Sequence, residues 1–116
     1  MNRLVLLASA LAIAGCAAPE DRPATWSYLH TAIVQPSCAT SSCHSQLAEV
    51  AGLDLSDPDE SYRLLIDGQY VIPGDLRSAL LFHLDGEQAE LMPPDAPLPE
   101  GDVVLFERWI LEGALR

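Results

Sequence analysis

Lysine is missing from this 116-residue chain altogether, and six arginines stand against 17 aspartates and glutamates, for a formal charge of −11. A surface so acidic excludes nucleic acid as a natural partner, because phosphates are held by basic side chains. It suits a partner that carries a basic patch and is approached by salt-sensitive steering, although solubility alone would explain the same charge. Also absent are a nucleotide-binding glycine loop, a catalytic triad and a paired acid and base. Fourteen of the acids are scattered between Glu49 and Glu107 rather than paired, and an enzyme is not expected. No segment alternates apolar and polar residues as a half-buried strand requires, and no internal repeat is visible. The longest apolar run, Leu4 to Ala14, is too short to cross a bilayer.

That run belongs to "MNRLVLLASALAIAGC", in which Arg3 precedes an apolar stretch of signal-peptide size. Its end, "IAGC", resembles the bacterial lipobox. The resemblance implies that residues 1–15 are a signal peptide and that Cys16 becomes the first residue, acylated and anchored to a membrane. An ordinary secretory signal cut near Ala17 or Ala18 is the other reading. Either one exports the chain to an oxidising compartment, where cross-linked cysteines persist. Ala17, rather than Asp, follows Cys16. Under the enteric sorting rule this points to the outer membrane, as a periplasm-facing protein of the cell envelope.

Residues 16–24 are polar and proline-bearing and read as a tether, which leaves 25–116 for one small domain. The domain is expected to be all-α. A first helix starts near Thr25, with Trp26, Leu29 and Ile33 on one face, and Pro36 should end it. "SQLAEVAGLDL" is mostly irregular. Asp57 as N-cap, Pro58 at the first position and Glu60 closing a capping box mark a second helix, which Gly68 stops. "VIPGD" is a turn, and "LRSALLFHLDG" a short helix closed by Gly86. Prolines forbid regular structure in "LMPPDAPLP", and a last helix spans about Gly101 to Glu112. Trp26 and Trp109 read as core, His30 and His83 as partly buried helical histidines, and Arg77 as a solvated arginine. Long ordered loops in so small a domain are usually there to surround something.

The chemistry is concentrated in "CATSSCHS", with Cys38, Cys43 and His44 within seven positions. Three uses fit these atoms. Covalent haem attachment needs two cysteines for the vinyl groups and a histidine directly after the second, as in C-x-x-C-H. Here the spacer is four residues, and the small side chains of "ATSS" can loop outward without disturbing the Cys43–His44 end. A Cys38–Cys43 disulfide would close a short loop worth roughly 2 kcal/mol in the chain-entropy model. It would make the protein a haem-free envelope lipoprotein with a binding or structural role, and would leave His44 without a purpose. Zinc needs a second ligand cluster, and none is present. Haem of the simplest kind also needs a distal ligand, often a methionine sulfur. After Met1 the chain has one methionine, Met92, in a loop that Pro93 and Pro94 stiffen. Haem is the expectation.

"IVQPSCATSSCHS", "VIPGDLRSALLFHL", "LMPP" and "FERWILEGAL", in this order over residues 26 to 115, resemble the small c-type cytochrome domains of planctomycete and myxobacterial lipoproteins. That resemblance implies a cytochrome c-like fold of short helices and proline-rich loops around one haem c. It implies that Cys38 and Cys43 are joined to the porphyrin, with His44 proximal and Met92 distal to the iron. It further implies an electron carrier that serves a redox partner protein.

Overall fold

Trp26 brings the chain into the domain by burying its indole while its Nε1–H donates to Pro58 O at 2.6 Å. In the computed structural model, which describes residues 21–116, helix α1 (Trp26–Leu29) runs directly into a π-helical turn (His30–Val34) and then helix α2 (Gln35–Ser37). Cys16 and the expected signal peptide, residues 1–15, lie outside the described residues. Pro36 does not end the helix, contrary to expectation. A proline inside an α-helix lacks its own hydrogen bond, and its ring meets the carbonyl four residues back. The widened turn before it changes that register: the Gln35 N–H bonds to His30 O, five residues back. The helix therefore delivers Cys38 at its C-terminus.

After the irregular cysteine segment and a 3₁₀ turn at Val50–Gly52 comes helix α3 (Pro58–Asp67). Its start is built from local chemistry. Asp57 caps it by accepting from the N–H groups of Asp59 and Glu60, at 3.0 and 2.8 Å. The capping box is only half made, because the Glu60 carboxylate turns to Arg63 at 2.5 Å instead. Gly68 follows as expected, for a steric reason: a Cβ there would lie 2.6 Å from Leu64 O.

Helix α4 (Ala79–Asp85) begins three residues later than "LRSALLFHLDG" suggested. The Ser78 hydroxyl, fully buried, binds Ile72 N–H and the carbonyls of Ile72 and Asp75, which keeps residues 72–78 in a turn. That turn docks through Gly74 N–H on Ile110 O at 2.7 Å. Arg77 is exposed and paired with Asp75. Gly86 closes α4 in the left-handed conformation at φ 73°, where glycine carries no Cβ penalty.

Helix α5 (Glu100–Leu111) supplies the centre of the core with Leu105, Phe106, Trp109 and Ile110. The rings of Trp26 and Trp109 lie 5.3 Å apart and join the first helix to the last. The chain end is sewn to the same place: Leu115 O accepts from Trp26 N–H and Trp109 Nε1–H, and Ala114 O from the Tyr62 hydroxyl. The segment read as a tether is docked from Arg22 onward. Arg22 pairs with Asp102 at 2.7 Å, and its carbonyl accepts from the Arg108 guanidinium. The described residues contain helices and turns and no strand, so the domain is all-α.

Candidate functional site

The cysteine loop is closed by backbone bonds. Cys38 N–H reaches Val34 O at 2.8 Å, and His44 N–H reaches Cys38 O at 3.0 Å, which spans the whole "ATSS" insertion. Cys43 N–H turns back to Thr40 O at 3.1 Å. Thr40, Ser41 and Ser42 are exposed, so the extra residues bulge into solvent as the sequence suggested. Cys38 and His44 are therefore held together despite the wide spacer.

His44 is also held from the other side. Its carbonyl accepts from Leu55 N–H at 2.8 Å, while Leu55 O is bonded to His30 Nε2 at 2.9 Å. Because a carbonyl can only accept, that nitrogen carries the proton. His30 is almost fully buried, not partly so as expected, and acts as the far end of this brace. Sequence reasoning missed the role because the partner lies 25 residues away.

Two cavities meet at these residues. The outer one, about 260 Å³, is lined by Cys38, Cys43, His44, Val50, Met92 and Pro93 among others. The inner one, about 180 Å³, is walled by Leu53, Leu55, Leu65, Tyr70, Leu80 and Leu84, together with Cys38, His44, His83 and Met92. Cys38, His44 and Met92 thus stand on both. Met92 arrives from a distant loop, its N–H bonded to His83 O at 2.7 Å. A third hollow of about 290 Å³ is lined by Ala51, Arg63, Asp67 and Tyr70 among others and contains none of the sulfur or imidazole donors.

The donors are not engaged with one another. Cys38 and Cys43 are free thiols. Burial pushes the Cys38 thiol up to about 11, and the neighbouring Cys43 adds to the shift. The Nδ1 atom of His44 is buried without a hydrogen-bond partner, one of two such side-chain atoms among the described residues. The other two histidines are satisfied, His30 on Leu55 O and His83 through Nδ1 on Glu90 O at 2.8 Å. A buried ring nitrogen without a partner costs stability unless something binds it. Among the described residues, no group of three or more His, Cys, Asp and Glu side chains could hold an ion by itself.

The structure therefore brings Cys38, Cys43, His44 and Met92 to one place. The apolar wall of Leu53, Leu55, Leu65, Tyr70, Leu80 and Leu84 was not singled out in the sequence, where only its hydrophobicity could have marked it. No protein-family model, no curated protein and no solved structure matches the chain.

Proposed function

We propose that this chain is a cytochrome c-like electron carrier, holding one haem c through thioether bonds at Cys38 and Cys43 and through axial ligation by His44 and Met92. The observation that carries the reading is the shared position of Cys38, His44 and Met92 on both cavities, although Met92 lies far along the chain from the other two. The donor set fits the group: two thiols, an imidazole nitrogen without a protein partner and a thioether, on walls that are largely apolar. Each cavity alone is below the roughly 300 Å³ at which small-molecule pockets begin, and the two adjoin at Cys38, His44 and Met92.

With both axial positions filled, a haem supplies one-electron exchange between ferrous and ferric iron and leaves no open position for oxygen or peroxide. The chain's own part is positioning and exclusion. The His30–Leu55–His44 brace holds the His44 backbone, the prolines after Met92 stiffen the loop that presents the thioether, and the leucines keep water out. No arginine lines either cavity. The acidic surface suits a redox partner with a basic docking patch. Lipid at Cys16 would keep the carrier at the periplasmic face of an envelope membrane, the outer one by the residue that follows it.

The test is the visible spectrum of the protein made in a host with haem-attachment machinery. The proposal expects a red protein whose absorption sharpens on reduction, and a colourless product would overturn it.

A further inference from the structure

His83 was read from the sequence as an ordinary helical histidine, yet it lines the inner cavity together with His44 and Met92. Its Nδ1 lies 2.8 Å from Glu90 O, an atom that can only accept, so the proton sits on Nδ1. Nε2 is then the lone-pair nitrogen of the ring. A backbone carbonyl holding one ring nitrogen is the arrangement that orients metal-binding histidines. His30, by contrast, lines neither cavity.

His83 is also tied to the loop that carries Met92. Its carbonyl accepts from Met92 N–H at 2.7 Å, and its ring holds Glu90 two residues before the methionine. These bonds use backbone atoms of residues 90 and 92, so they survive the loss of the Met92 side chain. His83 would stay where it is when the thioether is withdrawn.

We infer that His83 is the reserve axial ligand of this site, taking the iron through Nε2 when Met92 is removed and keeping it six-coordinate. The inference rests on the haem reading given above. Its consequence is an iron that stays closed to small ligands even when its methionine is lost, with a lower potential, because imidazole replaces the soft thioether that favours ferrous iron.

The test compares Met92→Ala with Met92→Ala/His83→Ala, both made with haem attachment, by spin state and carbon monoxide binding. The single variant should be low-spin, should lose the thioether–iron absorption and should fail to bind carbon monoxide at concentrations that saturate the double variant. The double variant should be high-spin. If the single variant does not accumulate, alkylating Met92 in the folded wild-type protein and in His83→Ala makes the same comparison. A single variant that is high-spin and binds carbon monoxide as the double variant does would overturn the inference and leave the haem reading intact. A colourless wild-type protein would overturn both.

Discussion

Replacing His30 by Leu should damage the site from a distance. The imidazole is buried, at 3% exposure, and its bond to Leu55 O is the partner of a carbonyl that is itself inside the domain. Leucine fills most of the space and donates nothing, so the carbonyl is left unsatisfied at about 1–3 kcal/mol. For a domain of this size that is roughly 4–8 °C of melting temperature for each kcal/mol. The loss should spread to His44, because Leu55 N–H holds the His44 carbonyl at 2.8 Å. Urea unfolding of the wild-type protein, His30→Leu and His30→Gln measures the first effect, with Gln expected to recover part of the loss because its amide can donate to the same carbonyl. The haem absorption of the three measures the second, and the Leu variant should show a weakened axial band. A His30→Leu protein within about 0.5 kcal/mol of wild type, the size of an ordinary surface change, would mean that His30 braces nothing.

Three further outcomes are expected. In protein made without haem attachment, the Cys38 thiol, pushed up to about 11 from its ordinary 9.0, should alkylate slowly at pH 8 and faster as pH rises toward 11. Because the folded value is the higher one, its stabilising contribution is complete below about pH 9 and is lost as pH rises to 11, which urea midpoints across that window would show, and protein with haem joined at Cys38 should lack this loss. Removing the Asp57 cap with Asp57→Ala should cost about 1 kcal/mol by urea unfolding and leave the visible spectrum unchanged. Mass spectrometry of the native N-terminus should find acyl chains on Cys16, and an unmodified terminus at Ala17 or beyond would end the anchor reading.

What could be read in the sequence was local. Asp57 followed by Pro58 marks a helix start within two residues, and Gly86 marks an end, because capping and positive φ are decided by near neighbours. The passage of the first helix through Pro36 was hidden because it depends on a π-helical turn whose buried residues His30, Ile33 and Val34 answer to the core. Glu60 chose Arg63 over the cap, a competition between two near partners that spacing alone does not rank. At the site, the identities of Cys38, Cys43, His44 and Met92 stood out by residue type and by the prolines beside Met92. Their meeting on shared cavities, the His30 brace and the presence of His83 are tertiary facts. The leucine wall resembled any core until the fold gave it a concave side.

The central claim is that the two cysteines carry haem, and thiol counting under denaturing conditions tests it most directly. Protein from a host with attachment machinery is reduced, denatured, alkylated and weighed, and its colour is followed through denaturing electrophoresis. With haem attached, Cys38 and Cys43 both resist alkylation, the mass is raised by one haem and the pigment stays with the chain. A colourless chain that takes up two alkyl groups at Cys38 and Cys43 would contradict it.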